Sequence, residues 1–354
     1  MSCKVLLFAQ PDARGEPHKT IRAAGIEIVP PDPSWAPGQA NLEESVAKAL
    51  RECDAVCAAP IRLTHFTRTI LEGSDKLRLV ALFTIGTDHV DSDAATDMGI
   101  LVTHGPTESN WGGVAEGVVA NMLTMLKKTR ERDARIKAGG WRDQDVWGTH
   151  LGRRDEDGWA GLTIGIVGLG RVGTRVADLL RPWKVRVLGC DPYIRDAHFA
   201  EHGVTKTDLD TLLAESDIVT LHTYLNNETR RMIGAPRFAR MKPSAILVNA
   251  SRGPVVDEQA IIQALQENRI AGAALDVFEV EPLPADSPLR QMGDKVLLSP
   301  HSISGGNAGS GLGPAIRWAG EAVVDALSGK VPTYVFNRAA IPGWQQRFGG
   351  KSVL

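Results

Sequence analysis

The stretch from Thr163 to Asp191 constrains this chain more than any other. It reads as strand, glycine turn, helix, strand and acid. The apolar run Thr163–Val167 leads into Gly168, Gly170 and Gly173, spaced G-x-G-x-x-G. A helical pattern follows, with Val172, Val176, Leu179 and Leu180 on one side, and a second apolar run, Val185–Leu188, ends at Asp191. The first glycine permits a tight turn, the second lets the backbone approach a pyrophosphate, and the third lets the helix pack close to the strand. N–H groups at the helix start, around Arg171 and Val172, lack helical partners and can hold phosphate. Asp191 stands 18 residues after Gly173, close to the spacing of about 20 at which an acid meets a ribose 2′-hydroxyl. A carboxylate there repels a 2′-phosphate, so the expected cofactor is NAD rather than NADP. Arg195 works against that choice. A bare glycine pattern also marks structural turns. The strand before it, the helix after it and the acid separate the two readings.

A dinucleotide unit fills only part of 354 residues, so a second domain is expected. Apolar residues make up 43% and charged residues 23%, enough for full cores and too apolar for disorder. The net charge of −2 and the lack of a long basic run give no surface for nucleic acid or an anionic membrane. Cys3, Cys53, Cys57 and Cys190 form no C-x-x-C pair and lie near no histidine cluster, so no redox motif and no metal are expected. MSCKVLLFAQ enters a strand without a signal-peptide pattern, and no apolar run reaches the roughly 20 residues of a membrane span. The setting expected is cytoplasmic.

Before the glycine turn, strands are predicted at Lys4–Phe8, Ile26–Val29, Ala55–Ala58, Leu79–Phe83 and Ile100–Val102, with helices at Leu42–Leu50 and His65–Leu71. Such alternation predicts a parallel sheet with right-handed crossovers. Pro30–Gly38 is a loop by proline content. The loop Gly86–Asp91 follows the fourth strand, at the sheet edge where ligands bind. A long helix begins near Asn110, with Ala115, Val118, Val119, Met122, Met125 and Leu126 as a core stripe ended by KKTR. Residues 139–161 are polar but carry Trp141, Trp147 and Trp159. They are read as packing on something rather than as an idle connection. Beyond Asp191, strands are predicted at Ile218–Leu221, Ala245–Asn249, Ala273–Val277 and Lys295–Ser299, and helices at Pro236–Met241 and Glu258–Glu267. A last helix, Pro314–Leu327, follows the glycine-rich run Gly305–Gly313. The tail after Gly329 shows no pattern.

Three polar residues stand where strands give out: Arg252 in NASRG, Glu281 in DVFEVEP and His301 in SPHS. Ends of parallel strands face one crevice. An arginine can clamp a carboxylate and polarise a carbonyl. A histidine can give or take a proton near neutral pH, and a carboxylate beside it fixes the ring and favours its charged form. Alone, Arg252 reads as a surface ion pair and Glu281 as a solvated turn residue. Their conjunction after a dinucleotide turn points to a site. His89 and His104 are weaker substrate-contact candidates near strand ends. His65, His150, His198 and His202 have no assignable role.

From GTDHVD through VAE, GLGRVG, NASRG and DVFEVEP to PHS, over residues 75 to 330, the sequence resembles the D-isomer-specific 2-hydroxyacid dehydrogenase family. The resemblance implies that Arg252 binds substrate, that His301 is the acid/base, and that Glu281 is its partner. It implies that Ile85 and Gly86 offer N–H groups to the substrate carboxylate, with Asn110 and Trp111 beside the pocket. Asp276 and the backbone at Ala250 would lie at the nicotinamide, and Thr223 would line the cofactor groove. The implied fold is a Rossmann domain with a doubly wound parallel sheet, plus a flavodoxin-like α/β substrate domain made from both chain ends. The segments expected are 1–128 and 306–354 for the substrate domain and 129–305 for the NAD-binding domain, in a homodimer. The small-molecule partner is a 2-hydroxy or 2-keto acid. Tyr224 stands where the family has proline, and Gly117 where it often has histidine. Leu82 replaces an arginine common in phosphoglycerate dehydrogenases, which disfavours a phosphate-bearing substrate. Glu281 replaces the glutamine of formate dehydrogenases. A corepressor-like, NAD-sensing interaction protein of the same fold is the alternative.

Overall fold

A computed structural model describes residues 3–8, 16–35, 39–57, 64–304 and 313–354. The chain divides into two compact units. One comprises Met1–Asn110 with Gly306–Leu354, and the other comprises Trp111–Gly305. The expected boundary at residue 128 lies further along the chain than this division.

In the first unit the strands are β1 (Lys4–Leu7), β2 (Glu27–Val29), β3 (Ala55–Cys57), β4 (Leu79–Ala81) and β5 (Leu101–Thr103). Their order is β2-β1-β3-β4-β5, all parallel. That is the 2-1-3-4-5 order of flavodoxin-like sheets. β3, β4 and β5 are buried at every residue, because helices cover both faces of such a sheet. Two helices, α1 (Glu16–Ala23) and α4 (Ser92–Asp97), were not expected, whereas α2 (Leu42–Leu50) falls where predicted. α3 is shorter than predicted, Arg68–Leu71, because Phe66 instead bridges Val90 in extended backbone.

Past the division, which falls inside α5 (Glu108–Lys127), Lys128 turns left-handed at φ 49° and α6 (Thr129–Lys137) begins. α5 therefore ends within the basic run KKTR, as expected, and a second helix starts inside the same run. α6 buries no residue, so it carries no apolar stripe by which to predict it. β6 (Thr163–Val167), α7 (Arg171–Leu180), β7 (Arg186–Cys190), α8 (Asp196–Glu201), β8 (Thr205–Lys206), α9 (Leu209–Glu215) and β9 (Ile218–Leu221) follow. Then come α10 (Ala235–Phe238), β10 (Ile246–Asn249), α11 (Glu258–Gln266), β11 (Gly272–Leu275) and β12 (Val296–Leu298). The seven strands run parallel in the order β12-β11-β10-β9-β6-β7-β8, a doubly wound sheet that reverses direction beside β6. Buried apolar clusters cover both of its faces.

The chain then returns to the first unit. α12 (Gly313–Leu327) packs on α1, β3 and β4. The tail, which showed no pattern, holds α13 (Ile341–Phe348) with Trp344 fully buried. The Trp344 Nε1–H donates to the Arg78 carbonyl at 3.0 Å. Val335 bridges Thr103, and the Asn337 side chain accepts from Val102 N–H at 2.7 Å and donates to the Ile100 carbonyl at 2.9 Å. Residues 36–38 of the proline-rich loop and 305–312 of the glycine-rich run lie outside the described residues. Among the described residues, no helix is long and apolar enough to cross a membrane.

Candidate active site

The glycine turn is built as its spacing requires. Gly168 has φ +91°, and a Cβ there would lie 2.6 Å from the His222 carbonyl oxygen. A Cβ on Gly173 would lie 2.0 Å from the Gly168 oxygen, so α7 could not pack on the turn. A Cβ on Gly170 would meet nothing within 4 Å. Of the three, the second glycine alone faces open space, where a pyrophosphate would sit. α7 begins at Arg171 with Gly170 as its N-cap and no side-chain cap, so its first N–H groups, including Val172, point to that space. Asp191 ends β7. Its carboxylate accepts from Leu169 N–H at 2.8 Å and Tyr193 N–H at 3.0 Å, which ties the acid to the turn. Thr223 packs its methyl against Gly168, and its hydroxyl is buried without a partner among the described residues. A buried polar atom left so is uncommon, and a bound dinucleotide would satisfy it. Arg195 pairs with Glu201 at 2.9 Å. Tyr224, in the loop after β9, is 71% exposed.

β10, β11 and β12 end side by side, and their loops carry the three predicted residues. Asn249 closes β10, 1% exposed. Its amide donates to the Arg252 carbonyl at 3.0 Å and its oxygen accepts from the Ser251 N–H and hydroxyl at 3.1 and 2.8 Å. The loop from Ala250 to Arg252 is thus folded around one buried side chain. A Cβ on Gly253 would lie 1.8 Å from the Phe278 oxygen, so glycine lets the Arg252 loop press against the DVFE loop.

That second loop carries Glu281. One carboxylate oxygen accepts from Phe278 N–H at 3.0 Å and the other meets His301 Nδ1 at 2.7 Å. A carboxylate only accepts, so Nδ1 carries the hydrogen and Nε2 remains for chemistry. Burial alone would raise the Glu281 pKa. The hydrogen bonds from His301 and Phe278 N–H, with the charges of His301 and Arg252, outweigh it and lower the pKa below its usual 4.5. The group is therefore a carboxylate at neutral pH.

His301 has φ +51°, a left-handed conformation that costs a residue with a Cβ about 1–2 kcal/mol. Its N–H donates to the Asp276 carbonyl at 2.8 Å. The Asp276 side chain, 2% exposed, accepts from the Ser299 hydroxyl at 2.6 Å and from Ser302 and Ile303 N–H at 3.0 and 3.1 Å. Asp276 thus braces the turn that carries the histidine. On α5, a Cβ at Gly113 would lie 2.2 Å from the Ser304 oxygen, and one at Gly117 would lie 2.4 Å from both the Ile303 side chain and its oxygen. These two glycines admit the end of the His301 loop onto the helix backbone.

In the first unit, the carbonyls of Ile85 and Gly86 accept from His104 Nδ1 at 3.1 Å and from the Thr84 hydroxyl at 2.8 Å. These bonds fix both peptide planes and give His104 a structural task. Asp91 caps α4 through Ala94 N–H at 2.9 Å. Asn110 sits in the first turn of α5. Leu82 is 2% exposed in an apolar cluster.

Asn249, Ser299, Gly253 and the Gly113–Gly117 pair escaped the sequence reading. A polar residue closing an apolar strand was the available signal for Asn249 and for the bracing task of Asp276. Nothing local marks Gly113 or Gly117 as contact points for a loop nearly 200 residues away.

The sequence profile of the D-isomer specific 2-hydroxyacid dehydrogenase NAD binding domain matches residues 119–302. A glyoxylate reductase of Thermofilum pendens is 37% identical over 278 residues, 78% of either chain. A D-3-phosphoglycerate dehydrogenase of Archaeoglobus fulgidus is 37% identical over 67% of this chain and 43% of its own length. Among solved structures, the NAD-dependent formate dehydrogenase of Staphylococcus aureus in complex with NAD superposes with a TM-score of 0.72. It is 28% identical and covers 92% of this chain and 94% of its own. With the profile covering more than half its residues, this chain belongs to the D-isomer-specific 2-hydroxyacid dehydrogenase family and is an NAD-dependent member of it.

Proposed function

We propose that the protein reduces the carbonyl of a small 2-keto acid, or oxidises the matching 2-hydroxy acid, with His301 as acid/base. The observation that carries this reading is the 2.7 Å contact between His301 Nδ1 and the Glu281 carboxylate, in the loop pressed against Arg252. When bound, NADH supplies the hydride to C2. Arg252 binds the substrate carboxylate and polarises the 2-carbonyl. His301 gives the proton to the developing alkoxide from Nε2, and Glu281 fixes the ring's tautomer and direction. In the oxidising direction Nε2 takes the proton back. Ile85, Gly86 and Asn110 are the substrate contacts assigned to the first unit.

Gly168, Gly170, Arg171, Val172 and Gly173 would hold the pyrophosphate, Asp191 the adenosine ribose, Thr223 the groove, and Ala250 and Asp276 the nicotinamide end. Asp276 has about one lone-pair site beyond its three contacts, so bracing and cofactor binding are compatible. NAD over NADP is supported by the Asp191 carboxylate and by the engagement of Arg195 with Glu201. A homodimer is supported by Trp141 and Trp147, 72% and 63% exposed, and by the half-exposed Ile136 on α6, since exposed apolar surface of this kind marks an interface. A cytoplasmic setting accords with the absence of disulfides among the described residues.

The test is NADH oxidation across glyoxylate, hydroxypyruvate, pyruvate and bulkier 2-keto acids, for wild type and His301→Asn. Turnover should fall by a factor on the order of 10²–10⁴ in the variant, with NADH affinity nearly unchanged. Equal turnover in the two proteins would remove His301 from the chemistry. No turnover with any acid, together with NADH-dependent self-association, would favour a cofactor-sensing role.

A further inference from the structure

α8 lies on the outside of the nucleotide-binding unit and takes no part in the chemistry above. It carries His198 and Glu201, and His202 is its C-cap. These residues stand at i, i+3 and i+4 and so share one face. One ligand atom from each lies within 4.8 Å of the other two. The two imidazole rings have centroids 4.6 Å apart and are tilted by 53°.

Neighbouring groups fix the tautomer of both rings. The Thr174 hydroxyl donates to the Leu169 carbonyl at 2.9 Å. Its oxygen must therefore accept at its 2.9 Å contact with His198 Nε2, which puts the hydrogen on Nε2 and a lone pair on Nδ1. His202 Nδ1 lies 2.8 Å from the Asp178 carboxylate. A carboxylate only accepts, so the lone pair of His202 is on Nε2. Each neutral ring thus offers one bare nitrogen, held in direction by a hydrogen bond on its other side. Metal-binding histidines are oriented in this way, often by a carboxylate.

We propose that His198, Glu201 and His202 form a binding site for a divalent transition-metal ion, with Asp178 and Thr174 orienting the two histidines. Two imidazoles and a carboxylate suit Zn²⁺, which takes nitrogen and oxygen ligands in tetrahedral sites and completes its shell with water. They do not suit Mg²⁺ or Ca²⁺, which take oxygen ligands. Arg195 holds one oxygen of Glu201 at 2.9 Å, and Arg181 lies 3.4 Å from Asp178. These two cations offset the two carboxylates, so the affinity expected is micromolar. A carboxylate has about four lone-pair sites, so the Arg195 pair and a metal can share Glu201. The Thr174 hydroxyl ends on the Leu169 carbonyl inside the glycine turn, so a metal on His198 would stiffen the support of that turn.

The experiment uses tag-free full-length protein. Zn²⁺ is titrated in competition with a chromophoric chelator, and Co²⁺ binding is followed by its visible absorption. One equivalent should bind in the micromolar range, and Mg²⁺ should not compete. At a hundredfold excess over Kd the melting temperature of this unit should rise by roughly 5–10 °C. His198→Gln and His202→Gln should each weaken binding at least tenfold, and both should retain the wild-type circular dichroism. Binding that persists undiminished in the double variant would place the metal elsewhere, on a cysteine or another histidine, and overturn the assignment. Absence of saturable binding below millimolar Zn²⁺ in wild type would overturn it as well.

Discussion

Strand ends are finished in two ways in this molecule. In the nucleotide-binding unit, β10 ends on the buried Asn249, and Asp276 follows β11 directly. Their side chains bond the loops bearing Arg252 and His301. In the other unit, β5 is held at its start, from far away, by Asn337 at Ile100 and Val102, while Trp344 fills the core behind. Both ends are buried, and the difference is in what they hold. Asn249 and Asp276 each fix a loop of a few residues to within hydrogen-bond tolerance. Asn337 and Trp344 fix the whole tail and leave no reactive group behind. Disturbing the first pair should damage chemistry more than stability, and disturbing the second should do the reverse.

The strongest attempt to break that contrast is Trp344→Ala. Truncating a fully buried tryptophan should cost about 3–5 kcal/mol of stability, measured by denaturant unfolding. NADH affinity of the protein that remains folded should not change, and a large loss of it would show the two kinds of strand end to be one system. Asp276→Asn comes next. An amide nitrogen would face backbone donors, and charge-assisted bonds of this kind are worth about 1.5–3 kcal/mol. The effect should appear as a roughly ten- to hundredfold loss in kcat, with the melting temperature lowered by no more than the roughly 4–10 °C those bonds are worth. Unchanged kcat beside such a fall would make Asp276 a stability residue. Asn337→Ala leaves the Val102 N–H and the Ile100 carbonyl buried without partners, at about 1–3 kcal/mol, and kinetic constants should stay at wild-type values.

The smallest effect concerns a third strand end. His222 follows β9, its N–H donates to Val167 at 2.7 Å, and burial pushes its pKa down from 6.5 to about 3. Between those values the unfolded chain takes up a proton that the native one refuses. Stability from this residue is complete above about pH 6.5 and declines as pH falls toward 3, by at most roughly 1.4 kcal/mol per pH unit. The side chain keeps partial solvent access, so the slope should be shallower. Unfolding of His222→Gln between pH 6.5 and 5 should show a flatter pH dependence than wild type, and parallel curves would assign the slope to other groups.

Legibility follows the same division. β6, its glycine turn and Asp191 are local in sequence, and each announces itself through a spacing imposed by backbone geometry. Arg252, Glu281 and His301 are spread along the chain, yet each stands where an apolar run ends, and the parallel sheet sets those ends side by side. The tail could not be read this way. Trp344 and Phe348 are buried by contacts with residues such as Arg78, and in an eight-residue helix such anchors leave little periodicity. α6 failed for the opposite reason, having no buried face. The braces at Asn249 and Asp276 were half visible, as polar residues closing apolar strands. Their task depends on which backbone groups come within 3 Å, which only the folded chain determines.

The Gly117–Ile303 contact bears on how such a sequence can change. The helix position that often holds histidine in the family is closed here, because the loop behind His301 lies where the first side-chain carbon would be. Trimming Ile303 would not reopen it, since the backbone oxygen of the same residue stands equally close. A single substitution to histidine must therefore displace the segment that carries His301. Histidine is out of reach here by one step, and a viable route would have to remodel the loop first. At this place the order of mutations matters as much as their identity.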